Sequence, residues 1–169
     1  AHFILGFLGD GREYKGRYAQ AVLSAILGGG MSSRLFTEVR ERRGLAYAVR
    51  TSIDRYADTG YMGTYVGVDP NKIEEAVRVI IDQCFGLKDE KYKITGKELK
   101  KAKEYLKGHL ALALEDTKDV NAFFAEQALF LKEVTAPREV IKKVDDVSVK
   151  DVLFEAKRLI RKENMRLAV

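Results

Sequence analysis

The chain is poor in several residue types, and each shortage narrows what it can be. Among 169 residues there are one cysteine, no tryptophan, two histidines and two prolines. A lone Cys84 closes no disulfide within the chain, which suits a reducing compartment, so a cytoplasmic location is expected. Neither His2 nor His109 belongs to a His-x-x-Glu-His helix motif, so no zinc site of that pattern can be built from this chain. His109 falls near Leu106 on the apolar side of its helical pattern and is expected to be packed and hydrogen-bonded; His2 carries no signal. No apolar run approaches the ~20 residues of a membrane-spanning helix, and no membrane partner is expected. Repeats and low-complexity tracts are absent.

What is present describes an ordinary globular protein. Thirty basic residues against twenty-five acidic ones leave a net charge of +5. The two signs are interleaved, as in Lys97-Glu-Leu-Lys-Lys-Ala-Lys-Glu104, which marks a solvated helix face rather than a phosphate-tracking stripe. No nucleic-acid partner is expected. Residues 1–169 are enough for a single domain with a sizeable core, and both ends read as cuts through strands of a longer chain.

Periodicity gives the order of elements. Residues 2–8 read as a strand closed by Gly9-Asp10-Gly11, and 17–27 as a helix with Tyr18, Val22, Ala25 and Ile26 on one face. Strands at 45–56 and 60–68 flank a hairpin turn. In the second, Met62, Thr64, Val66 and Val68 share one face and Tyr61, Gly63, Tyr65 and Gly67 the other. The two glycines on that other face predict room for a helix or another chain. Asp69-Pro70 opens a helix carrying Ile73, Ala76, Val77, Ile80, Ile81 and Cys84.

Capping boxes at Thr95/Glu98 and Ser148/Asp151 start two further helices. The first is expected to turn Leu99, Ala102, Leu106, Leu110 and Ala113 inward; the last bears Val152, Leu153, Ala156, Leu159 and Ile160. Between them come a helix over 120–131 with Val120, Phe123, Phe124, Ala128 and Leu131 apolar, and a short one from Pro137. A strand closes the chain. Strands segregated from a run of helices define an α+β fold: a mainly antiparallel sheet with helices packed on one face.

The stretch 27–50 joins the first helix to the second strand and holds the densest pattern. Gly28 to Gly30 break the helix, and Ser32 or Ser33 is placed to cap a short one bearing Leu35, Phe36 and Val39. Gly44 supplies a left-handed stop. The glycines follow a helix rather than a strand and precede no Lys-Ser/Thr pair, which excludes a nucleotide cradle. Arg40 lies in the last turn of the short helix, where any arginine suits the dipole and a nearby Glu could pair with it; Arg42 and Arg43 qualify equally.

The run Gly28-Gly-Gly-Met-Ser-Ser-Arg-Leu-Phe36, with Glu38, Arg40, Gly44, Leu45 and Tyr47, resembles the C-terminal half of pitrilysin-type zinc peptidases, in the branch of the mitochondrial processing peptidases. The resemblance extends over nearly the whole chain. It implies the substrate-binding, non-metal half of a two-half zinc endopeptidase, acting on peptides or presequence-like segments. Zinc would be held by the other half or subunit and none by this chain, and a dimer is implied for the complete protein. The family's Arg-x6-Tyr pair, which holds the substrate backbone, falls here on Arg40 and Tyr47. An alternative within the family is a non-catalytic assembly role.

Overall fold

Residues that alternate with a period of two become strands, and those spaced at three to four become helices that cover one side of them. The computed structural model describes residues 1–169. Four strands, β1 (His2–Asp10), β2 (Ala46–Arg55), β3 (Thr59–Val68) and β4 (Met165–Ala168), form one sheet in the order β2-β3-β1-β4. All three pairings are antiparallel, with Phe3 opposite Val66 and Phe7 opposite Met62. The fold is α+β, as the segregation of strands and helices implies.

The inner face of the sheet presents Phe3, Leu5, Phe7, Met62, Val66 and Val68, all buried. Against it lie α1 (Arg17–Gly28), α2 (Ile73–Lys88) and α6 (Val149–Leu159), contributing Val22, Leu23, Ile26, Ile80, Cys84, Val152 and Ala156 to one core. Truncating a side chain as enclosed as Leu23 to alanine costs about 2–5 kcal/mol. Outside them run α3 (Gly96–Ala113), α4 (Thr117–Phe130) and α5 (Pro137–Asp145). Both capping boxes form: Glu98 N–H donates to Thr95 Oγ1, and Asp151 N–H to Ser148 Oγ. No helix is long and apolar enough to cross a membrane.

The outer helices depart from their patterns. In α3 only Ala102 is buried; Ala113 and His109 are exposed, and His109 lies against Tyr105 with ring centroids 4.3 Å apart. In α4 the one buried residue is Gln127, while Phe124, Leu129 and Phe130 are exposed. Periodicity orients an apolar stripe but supplies nothing to cover it, and within this chain little covers these two. The room predicted over Gly63 and Gly67 is occupied by the chain's own rings. A Cβ at Gly67 would meet the Tyr47 ring at 2.5 Å, and one at Gly63 the Tyr61 ring at 3.0 Å.

Candidate functional site

Arg40 lies in the connection between α1 and β2 and Tyr47 near the start of β2, and the backbone is irregular at each. Phe36–Glu41 forms a π-helical turn instead of an α-helix: the Arg42 N–H reaches back five residues to Thr37 O. Such widened turns are rare and recur at functional sites. The expected serine cap is not made. The turn has no side-chain cap, and the buried Ser33 hydroxyl has no hydrogen-bond partner. Leu35 and Val39 are buried as expected. Gly44, at φ 57°, ends the turn, with its N–H on Arg40 O and the Leu45 N–H on Val39 O.

Within this turn Glu38 binds Arg42 through Oε1 and Arg43 through Oε2. Arg40 is exposed and forms no ion pair; its guanidinium rests 4.9 Å from the centroid of the Phe36 ring. The carboxylate that sequence alone leaves available to Arg40 is thus spent on its neighbours.

Tyr47 occupies a β-bulge. Ala46 pairs with Val68 and Ala48 with Gly67, so Tyr47 is the additional residue between them. A bulge re-aims a side chain and leaves its residue outside the ladder. The ring lies across Gly67, 57% exposed, and its hydroxyl is 3.1 Å from His2 Nε2. The other imidazole nitrogen, Nδ1, is 2.6 Å from the Tyr65 hydroxyl, and the two rings stack. Arg40 and Tyr47 share no hydrogen bond; both stand exposed, one at each end of the Gly44 turn.

His2 had no recognisable role in the sequence. Its place follows from the register of β1, which sets it opposite Gly67 and two residues from the partner of Tyr65. Glu155 was also missed. It is buried at a position of the apolar α6 stripe and accepts from Tyr14 Oη at 2.7 Å and Gln20 Nε2 at 3.0 Å, while Arg158 pairs with both Glu155 and Asp10. Burial, then the bond to Glu155, pushes the Tyr14 phenol up to about 12. A charged residue inside an apolar stripe was the available signal. This network ties β1, α1 and α6 together.

No group of three His, Cys, Asp or Glu side chains is arranged to hold a metal, so the residues of this chain do not fit a zinc centre.

An antiparallel sheet with helices on one face is an architecture this chain shares with proteins of known structure. Residues 1–106 match the family described as the peptidase M16 inactive domain. The chain belongs to the M16 peptidase family, as its inactive domain. It is 34% identical over 161 residues to an uncharacterized zinc protease of Mycobacterium leprae, covering 95% of this chain and 36% of that protein. An uncharacterized zinc protease of Bacillus subtilis is 35% identical over 163 residues, covering 96% and 39%. The chain thus spans little more than a third of these relatives. A protease from Helicobacter pylori has the same fold, with TM-score 0.87 and 26% identity over 98% of this chain and 40% of that one. A peptidase M16 inactive domain from Pseudomonas fluorescens superposes with TM-score 0.86 at 22% identity, covering 98% and 39%.

Proposed function

We propose that residues 1–169 form the substrate-binding, metal-free domain of a zinc endopeptidase, in which Arg40 and Tyr47 hold the backbone of a peptide. The observation that carries the reading is the freedom of Arg40: it alone of the three arginines in its turn has no carboxylate. A guanidinium donates from several N–H groups and a phenol from one O–H, so together they suit successive peptide carbonyls. The same donors favour a carbonyl oxygen that gains negative charge as the peptide bond is attacked.

His2 completes the arrangement by orienting Tyr47. In this reading the imidazole carries its proton on Nε2, 3.1 Å from the Tyr47 oxygen, and leaves Nδ1, 2.6 Å from the Tyr65 hydroxyl, to accept. In that tautomer Tyr65 donates to Nδ1 and Nε2–H donates to the Tyr47 oxygen. The Tyr47 proton is then unspent and available to substrate.

Zinc belongs, in this reading, to the other half of the complete protein, on the same chain or a separate subunit. The exposed Phe124, Leu129 and Phe130 of α4 support a surface that meets that half, and the complete protein is proposed to dimerise. A peptidase assay of the complete protein, with and without a chelator, tests the function. Chelator-sensitive cleavage supports it; a complete protein that holds no zinc and cleaves nothing points instead to a non-catalytic assembly role.

A further inference from the structure

The short helix that carries Arg40 begins in one register and ends in another. An early bond, from the Thr37 N–H to Ser33 O, spans four residues; a late one, from the Arg42 N–H to Thr37 O, spans five. A register of four throughout would rotate the residues beyond the change by about 100° about the helix axis, and Arg40 with them. The direction of the Arg40 side chain therefore depends on the widened register. The turn has no side-chain cap of its own. Leu35 and Val39 bury one face of it, but apolar contact is non-directional and does not by itself fix a register.

A directional hold comes from Arg34, at the start of the same helix. Its guanidinium reaches the connection between α2 and α3. Nε and Nη2 grip the two carboxylate oxygens of Glu98 at 2.5 and 2.8 Å. Nη1 donates to Tyr92 O at 2.8 Å, and Nη2 to Lys93 O at 3.0 Å. A fork of this kind fixes orientation as well as distance. Glu98 is itself fixed, because it closes the capping box of α3 with Thr95. The Arg34 side chain is 11% exposed, so water competes little for these bonds. At the far end of the turn, Lys72 Nζ donates to Gly44 O at 3.2 Å. The entry is thus clamped by four bonds and the exit by one.

We propose that Arg34 is a positioning residue for Arg40. Its clamp on Glu98, Tyr92 and Lys93 keeps the widened register and so aims the Arg40 guanidinium at the peptide. This rests on the reading of Arg40 as a substrate donor. Arg34 acts through Arg40 alone, since its own guanidinium is turned to the α2–α3 connection.

The test is a set of double-mutant cycles on peptide turnover by the complete protein, with kcat taken per equivalent of folded, zinc-loaded protein. Arg34→Gln should lower kcat about tenfold, less than Arg40→Ala does, because a displaced donor costs less than a missing one. In an Arg40→Ala background the same substitution should cost nothing further, whereas in a Tyr47→Phe background it should still lower kcat. A loss of general structure would multiply in both backgrounds. Glu98→Gln should show the same pattern with a smaller loss. It carries the test if Arg34→Gln does not fold, since glutamine closes a capping box as glutamate does. Lys97→Gln, at the neighbouring exposed position, should change nothing. A loss that persists in the Arg40→Ala background would overturn the positioning role. So would full turnover in Arg34→Gln and Glu98→Gln while Arg40→Ala is impaired, and the substrate site would then stand without it. An Arg40→Ala variant of full activity would overturn the substrate reading, and this role with it.

Discussion

Tyr47 and His2, 45 residues apart in the chain, meet at 3.1 Å between the phenol oxygen and Nε2. The contact depends on three separate features of the fold. The pairing of β1 with β3 places His2 opposite Gly67, the bulge in β2 turns Tyr47 out of the ladder, and the missing side chain of Gly67 lets the ring lie flat.

Removing either substrate donor should harm turnover without harming the fold. In the complete protein, Arg40→Ala and Tyr47→Phe are each expected to lower peptide turnover on the order of 10²-fold, the usual loss when one donor to a developing oxyanion is deleted. Stability should fall by under ~1 kcal/mol, because the Arg40 guanidinium leaves only an exposed contact with a ring. Zinc content should not change. Arg42→Ala and Arg43→Ala lose only their pairing with Glu38 and serve as controls. Equal losses in all four variants, or unfolding of the first two, would remove Arg40 and Tyr47 from the site.

His2 acts through Tyr47, and a double-mutant cycle separates that role from a general structural one. His2→Ala should lower turnover less than Tyr47→Phe does, since the phenol remains but is no longer oriented. Once Tyr47→Phe has removed the hydroxyl, adding His2→Ala should have little further effect on kcat. Fully additive losses would show that His2 does not work through Tyr47.

The sheet was legible because its signal is local. Met62, Thr64, Val66 and Val68 alternate with Tyr61, Gly63, Tyr65 and Gly67 and fall on opposite faces as that alternation requires. The caps at Thr95 and Ser148 were legible for the same reason, since both partners lie within four residues. The π-turn at Arg40 was not. It differs from an α-helix by one residue of hydrogen-bond register and has no composition of its own. Nor could the sequence divide Glu38 among three nearby arginines, a matter of side-chain direction. Apolar spacing in α3 pointed Ala113 inward, but burial needs a covering surface that this chain does not supply there.

Cys84 provides a probe of core integrity that is independent of the site. Burial alone pushes its thiol up to about 12 from 9.0. The unfolded chain thus releases this proton first, and between those values the folded state holds more protons than the unfolded one. The contribution to stability is complete below pH 9 and is lost as pH rises toward 12. Alkylation of Cys84 in the native chain should stay slow as pH rises past 9.0, whereas in denaturant the thiolate should form and react with a midpoint near 9.0. Rapid alkylation without denaturant would mean that α2 does not pack as described.

Gly67→Ala distinguishes a displaced Tyr47 from a damaged sheet. An added Cβ would lie 2.5 Å from Tyr47 Cε2 and 2.6 Å from Cζ, well inside van der Waals contact. The neighbour that must move is a ring 57% exposed to solvent, so it can swing outward with little loss of packing. The melting temperature should therefore change little, and a strand position prefers alanine to glycine by a fraction of a kcal/mol, roughly 0.5–1 at most. Swinging outward, however, takes the hydroxyl away from His2 Nε2 and from the peptide it is proposed to hold. Turnover in the complete protein should fall most of the way to the level of Tyr47→Phe, and combining the two substitutions should add little. A variant that keeps full activity would show that the orientation of Tyr47 across Gly67 is not the one used on substrate.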